Sequence, residues 1–122
     1  MSEESLNKQV LPIWEAWERF LHPFFSITQK FPKKARFTFT TRMENFSLEI
    51  LELLIDARYS TKLEKMPLLK KINLLLEKMR VFTRVCHEER LLSSKAYEKI
   101  AREIDQAGRQ IGGWMKEVQQ RR

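Results

Sequence analysis

Residues 31–59, FPKKARFTFTTRMENFSLEILELLIDARY, are the most informative part of this chain. They open with a basic turn and continue as a long helix that has two apolar stripes. The first stripe repeats in alternating steps of three and four residues, as the core face of a bundle helix does, and comprises Met43, Phe46, Ile50, Leu53 and Ala57. The second stripe lies on a neighbouring face and comprises Leu48, Leu51, Ile55 and Tyr59. A helix that lines only its own core needs one stripe. The second must be covered by more of the same chain or by another subunit, so self-association through these residues is the leading expectation.

The same periodicity predicts three further helices, and no run with the period of a β-strand is longer than a few residues. The four predicted helices cover about residues 12–30, 35–60, 66–90 and 94–118. Four helices of similar length joined by short turns must run up-down-up-down in order to pack. The predicted fold class is therefore all-α, a four-helix bundle formed by residues 1–122 as one domain.

Each of these helices has an inner stripe and a recognisable end. The stripe of the first comprises Val10, Ile13, Trp17, Phe20, Phe24, Ile27 and Phe31; that of the third, Leu69, Ile72, Leu76, Met79, Thr83 and Cys86; that of the fourth, Tyr97, Ile100, Ile104, Ala107, Ile111, Met115 and Val118. Pro23 predicts a kink or one lost hydrogen bond in the first helix. Pro67 fits the first turn of the third helix, and Ser93 or Ser94 fits the cap of the fourth.

The composition excludes several classes of protein. One cysteine, Cys86, rules out a disulfide within the chain and fits a reducing compartment. The first ten residues, MSEESLNKQV, lack the features of a secretory signal, and no stretch is apolar for the roughly 18 residues that a membrane span needs. The expected location is therefore cytoplasmic, with no membrane contact.

The chain is basic, with 23 lysines and arginines against 16 acidic residues and a net charge of +7. The excess begins at residues 28–35, which carry +3, and continues over residues 61–90, which carry +4. Such a field attracts polyanions, of which nucleic acid is the commonest inside cells. The candidate phosphate contacts are Lys33, Lys34, Arg36, Lys70, Lys71, Arg80 and Arg84. The alternative is a solvated basic surface whose local ion pairs contribute little.

No catalytic or metal-binding constellation is visible, so neither enzyme activity, nor a cofactor, nor a small-molecule substrate is expected. A di-metal bundle site needs Glu-x-x-His, but arginines lie three residues before both His22 and His87. Cys86 lies on an apolar stripe with no histidine arrangement beside it, which favours a buried small side chain over a nucleophile.

Two further patterns have structural interpretations. Glu49, Glu52 and Asp56 share one face of the second helix, where we expect ion pairs with Arg42, Arg58 or the basic residues of a neighbouring subunit. Gly112-Gly113 weakens the fourth helix and is best explained by the close approach of a neighbouring helix, with Trp114 as an interface anchor.

The order of these segments resembles one protein family. The FPK-x-x-RF turn, the LEILELLIDARY helix, the Arg-x-x-x-Arg pair of the third helix and the GR-x-IGGW ending are similar, over about residues 20–117, to the accessory variability proteins (Avd) of diversity-generating retroelements. That family belongs to a wider set of small four-helix proteins, which includes those encoded in intervening sequences of bacterial large-subunit ribosomal RNA genes.

The resemblance implies properties that the residues alone do not give. It implies a homopentameric barrel with a basic surface, which binds RNA or DNA together with the reverse transcriptase of the element and supports mutagenic copying without catalysis of its own. Arg80 and Arg84 match the arginine pair of the third helix, and Lys33, Lys34 and Arg36 match the basic turn. The alternative is a structural or adaptor oligomer of the ribosomal intervening-sequence type, with no important contact to nucleic acid.

Overall fold

A computed structural model describes residues 11–120. Helix α1 covers Ile13–Thr28, α2 covers Thr41–Tyr59, α3 covers Lys62–Glu88 and α4 covers Ser94–Gln120. Within these residues there are four α-helices and no strand. Helix α2 packs against α1 and α3, and α4 packs against α3 and α1, which is the neighbour pattern of a four-helix bundle.

The predicted inner stripes form the core. The buried apolar residues include Trp17, Phe20 and Phe24 of α1, Met43 and Ile50 of α2, Leu69, Ile72, Leu76 and Met79 of α3, and Ile100, Ile104 and Ile111 of α4. Ring contacts link the helices, since Phe46 of α2 meets Phe82 of α3 edge-on at 5.2 Å between centroids. The indole Nε1 of Trp17 donates a buried hydrogen bond of 2.9 Å to the carbonyl of Ser47, which fixes α1 against α2. Val10, the first residue of the predicted α1 stripe, lies outside the described residues.

The start of the second helix is less regular than predicted. Residues Lys33–Ala35 form a 3-10 turn, and Arg36–Thr40 form a π-helical turn before the α-helix begins at Thr41. The Thr41 hydroxyl donates a 2.6 Å hydrogen bond to the carbonyl of Arg36, five residues earlier, which is the spacing of a π-turn. Threonine hydroxyls that bond to nearby backbone in this way compete with regular helix geometry, and periodicity does not reveal this.

Pro23 and Pro67 both lie inside helices. Helix α1 continues through Pro23, which has no N–H to donate, so the predicted loss of one hydrogen bond holds. The predicted position of Pro67 in a first turn is wrong, because α3 begins four residues earlier than expected, at Lys62. The hydrogen bond that Pro67 omits would end on the carbonyl of Leu63, a residue 91% exposed, where water can replace the missing donor.

The ends of α3 and α4 follow capping rules. The Ser93 hydroxyl accepts a 3.1 Å hydrogen bond from the N–H of Ala96, so Ser93 is the cap of α4. Helix α3 ends where the N–H of Leu91 donates to the carbonyl of Cys86 at 2.8 Å. This short turn brings α4 back alongside α3.

Candidate nucleic-acid and assembly surfaces

The three cations of the basic turn between α1 and α2 are exposed. Lys33 and Lys34 lie in the 3-10 turn, and Arg36 begins the π-turn that follows it. None of the three forms an ion pair with another residue of the 11–120 segment. Their positive charges are therefore uncompensated over this segment and are available to an anion from outside.

An exposed aromatic ring lies within the same turn. Phe37 is 86% exposed, whereas Ala35 is buried and Phe39 packs against the core. Ala35, Phe39 and Met43 follow steps of four residues along the core side, which leaves Phe37 on the opposite side. Phe37 lies on none of the predicted apolar stripes, so helical periodicity does not identify it. An aromatic residue directly after three cations was the signal that would have found it.

Arg80 already has partners within the chain. Its guanidinium donates to a carboxylate oxygen of Asp105 on α4 at 2.9 Å and also to Glu77 one turn earlier. Partial burial lowers the pKa of Arg80, but the hydrogen bond to Asp105 and the charge of Glu77 outweigh that effect and raise the pKa above its ordinary value. Arg80 therefore joins α3 to α4, and its charge is largely neutralised where it lies.

The other basic residues of α3 that are predicted to contact phosphate have no ion-pair partner among the described residues. Lys70, Lys71 and Arg84 are exposed, and none makes an ion pair in the part of the chain that the structure describes. Arg84 is thus the better phosphate-contact candidate of the predicted arginine pair. The role of all the predicted contacts in binding stays a prediction.

The second apolar stripe of α2 points mostly away from the core. Leu48 is 42% exposed, Ile55 47% and Tyr59 76%. Leu51 differs from these three, because it is partly buried and packs against the core of its own chain. Residues 11–120 of one protomer therefore leave Leu48, Ile55 and Tyr59 uncovered.

Trp114 is engaged within the chain. Its ring meets Trp14 of α1 edge-on at 5.9 Å between centroids, and the Lys65 ammonium lies 5.5 Å from its centroid. A Cβ added to Gly112 or Gly113 would meet no atom within 4 Å beyond the local helix. The predicted close approach of a neighbouring helix to these glycines is therefore wrong within one chain. A contact of Trp114 with another subunit stays a prediction.

The acidic residues on α2 lack the partners expected within the chain. Glu49, Glu52 and Asp56 are exposed and form no ion pair inside the described range. The guanidinium of Arg58 lies instead over the rings of Trp14, at 4.7 Å, and Tyr59, at 5.4 Å. The predicted pairing with Arg42 or Arg58 is therefore wrong, whereas pairing with a neighbouring subunit stays a prediction.

Helix α3 has an exposed apolar row of its own, which is not among the predicted apolar stripes. Leu63 is 91% exposed, Leu74 56% and Val81 37%. The spacings of 11 and 7 residues correspond to about three and two helical turns, so the three side chains project from one side of α3. None of these three residues belongs to the predicted inner stripe of α3.

Residues with catalytic potential meet at most in pairs within the described range, such as the Nε2 of His87 and the exposed Ser94 hydroxyl at 3.4 Å. Cys86 is buried, and burial raises the pKa of its thiol to about 11, which suppresses the reactive thiolate. The ring of His87 stacks on Tyr97 at 4.5 Å, and His22 is exposed. Among residues 11–120 no group of three potential ligands is placed to hold a metal ion. A cleft of about 580 Å³ beside Trp14 and Trp114 contains no nucleophile paired with a base.

None of the described helices is long and apolar enough to cross a membrane.

Comparison with known proteins identifies a family. A family profile described as bAvd-like matches residues 6–118, which is most of the chain. No curated protein and no solved structure matches.

The contrast between Arg80 and Arg84 can be tested by stability. We expect Arg80→Ala to lower the free energy of unfolding by about 0.5–1 kcal/mol, because it removes exposed ion pairs that join α3 to α4. Arg84→Ala, the matched control, should change it by less than about 0.5 kcal/mol. Urea unfolding at equal protein concentration measures both changes. Equal losses for the two variants would contradict the structural role of Arg80.

Proposed function

Since the chain belongs to the bAvd-like family, whose resemblance to the accessory variability proteins is noted above, we propose that it is a non-catalytic protein that binds nucleic acid and partners a retroelement reverse transcriptase in mutagenic copying. The observation that carries this proposal is the set of exposed cations Lys33, Lys34 and Arg36, which exposed Phe37 follows directly in the chain. Its three charges have no counterpart within residues 11–120.

The charge distribution supports a polyanionic ligand. Binding of a nucleic acid releases counterions from its phosphates, and each basic residue that neutralises a phosphate steepens the dependence on salt. Lys70, Lys71 and Arg84 add free positive charge along α3. An exposed, uncompensated set of cations on a chain of net charge +7 fits this mode of binding.

Phe37 gives the turn a second means of contact. Proteins that bind single strands combine a basic groove with aromatic side chains on which unpaired bases stack. A side chain that is 86% exposed and follows Arg36 directly is suited to that role. The core of a protein interface, in contrast, is depleted of lysine, and Lys33 and Lys34 precede this ring by only four and three residues in the chain. We therefore assign Phe37 to an unpaired base, with the three cations on the flanking phosphates.

The functional form is a homo-oligomer in this proposal. Leu48, Ile55 and Tyr59 leave an apolar row on α2 that a single protomer does not cover. A closed ring is the natural product of a head-to-tail contact. The number of subunits, five, rests on family likeness alone. Assembly places several copies of the basic turn on one particle and raises its affinity for a long strand.

The alternative function, a structural adaptor of the ribosomal intervening-sequence type, predicts assembly without affinity for nucleic acid. The genomic surroundings of the gene separate the two. A reverse transcriptase gene with a template and variable repeat pair nearby supports the accessory function. Their absence, together with an oligomer that ignores RNA, would support the adaptor.

The first prediction of this proposal concerns salt. Replacing Lys33, Lys34 and Arg36 together by glutamine should weaken the binding of a single-stranded RNA and flatten the slope of log affinity against log salt by about 0.7 per lost phosphate contact, or about 2 in total. Fluorescence anisotropy with single-stranded RNA and DNA at several salt concentrations measures this. The matched control replaces Lys95, Lys99 and Arg102 of α4, which removes the same charge elsewhere. A control that flattens the slope equally, or no binding by the unaltered protein at low salt, would contradict the proposal.

The second prediction concerns Phe37. Phe37→Leu keeps the apolar bulk but removes the aromatic face, so affinity for a single strand should fall by about 5- to 150-fold, the range expected for stacking of one base. Phe37→Tyr should keep the affinity within about threefold. The slope against salt should be unchanged in both variants, because no phosphate contact is lost. Equal loss of affinity for a duplex of the same length, or a change in oligomer mass, would reassign Phe37.

A further inference from the structure

The outward sides of α2 and α3 carry the same arrangement of side chains with opposite charge. On α2, Leu48 is followed four residues later by Glu52 and three residues after that by Ile55. On α3, Leu74 is followed four residues later by Lys78 and three residues after that by Val81. All six residues are exposed. Because residues three and four apart lie on one side of a helix, each apolar row has a charged residue on the same flank.

Neighbouring residues strengthen the contrast. Glu49 and Asp56 lie further round the acidic flank of α2, and Lys71, three residues before Leu74, lies on the basic flank of α3. Over its whole length α2 has four acidic and two basic residues, a net charge of −2, while α3 has seven basic and three acidic residues, a net charge of +4. Glu49, Glu52, Asp56, Lys71 and Lys78 form no ion pair within residues 11–120.

We propose that the outward side of α2 of one copy packs against the outward side of α3 of the next copy, in a head-to-tail contact. This inference rests on the self-association in the proposed function and specifies its two surfaces. The apolar row of Leu48 and Ile55 meets the row of Leu74 and Val81, and the acidic flank meets the basic flank. The occupant of each row is a second copy of this chain.

Helix direction supports the pairing. In a ring whose axis runs along the bundles, all copies point the same way, so α2 of one copy runs opposite to α3 of the next. Two helices that pack face to face in opposite directions bring the same flank of each together. Glu52 lies four residues after Leu48, and Lys78 lies four residues after Leu74. The acidic flank of α2 and the basic flank of α3 therefore lie on the same side of their apolar rows when each helix is followed from its N-terminus.

The height of the charged residues along the bundle also agrees. Within one chain, the ring of Phe46 on α2 contacts the ring of Phe82 on α3, and the Lys65 ammonium donates to the carbonyl of Ala57 at 2.6 Å. These two contacts show which residues of α2 and α3 lie at the same height. A pure rotation about the ring axis keeps these levels between copies. Glu52 is then level with Lys71 of the next copy. Glu49 is level with Lys78 by the same reasoning. The structure therefore favours these two pairs at each contact.

A contact of α2 with α2 is disfavoured by the same charges. In a two-fold dimer that packs α2 antiparallel to α2 of the other copy, the acidic flanks of Glu49, Glu52 and Asp56 would meet each other. Like charges placed opposite one another at an interface oppose association. A head-to-tail contact instead leaves α2 free at one end of any open assembly and α3 free at the other, so closure into a ring covers both.

Charge reversal tests the proposal. The acidic variant carries Glu49→Lys and Glu52→Lys, the basic variant carries Lys71→Glu and Lys78→Glu, and the combined variant carries all four. Each double variant should raise the protein concentration needed for assembly by at least about tenfold, measured by light scattering over a dilution series. The combined variant should assemble within about threefold of the unaltered protein, because every contact regains opposite charges.

Matched controls carry the same changes on surfaces that make no such contact. Glu18→Lys with Glu98→Lys, and Lys95→Glu with Lys99→Glu, should leave assembly unchanged. If the double variants dissociate and the combined variant does not recover, the α2–α3 pairing is wrong. If the unaltered protein is a monomer, the proposed oligomer is wrong. If the unaltered protein assembles but the charge variants and their controls all assemble equally well, only the α2–α3 contact is wrong, and the proposed function is unaffected.

Discussion

Helix α2 has two apolar sides, and one chain covers only one of them. The inner side supplies Met43, Ile50 and Leu54 to the core, all fully buried, while the outer side leaves Leu48 and Ile55 more than two fifths exposed. Burial of apolar area is the main favourable term in association, so such a row favours assembly. The charged flanks then determine which copies of the surface meet, since electrostatic complementarity gives an interface its register and selects its partner. Assembly and specificity in this account have separate physical origins on the same helix.

The basic residues differ in their surroundings, which composition alone does not show. Arg80 is neutralised by Glu77 and Asp105 and holds α3 against α4. The guanidinium of Arg58 lies over the ring of Trp14, and the ammonium of Lys65 lies over the ring of Trp114. Both contacts are at the end of the bundle where α2 joins α3. The cations of the α1–α2 turn form no ion pair within the described residues, and the same holds for Lys70, Lys71 and Arg84 of α3. The net charge of +7 therefore does not show which cations a nucleic acid can reach, whereas the ion pairs and ring contacts do.

The sequence predicted the four helices, their inner stripes and a cap at Ser93 or Ser94, because strong periodicity and capping chemistry are local properties; the structure shows that the cap is Ser93. It predicted the second stripe of α2 for the same reason. It could not predict the partner of Arg80, since Asp105 lies 25 residues away and only the packing of α3 on α4 brings them together. The irregular start of the second helix depends on threonine hydroxyls that bond to backbone, and the early start of α3 depends on solvent reaching the turn before Pro67. Both effects are invisible to a pattern of apolar residues. The spacing of the outward row of α3 is visible in the sequence, but its proposed role as an interface depends on the matching row of α2.

The most direct test of this account is the mass of the protein in solution. One chain has a mass of 14.7 kDa. Size exclusion with light scattering at micromolar concentration should give a single species at an integral multiple of that mass, and the multiple should hold on moderate dilution. A stable species of 14.7 kDa with Leu48, Ile55 and Tyr59 exposed to solvent would contradict the account.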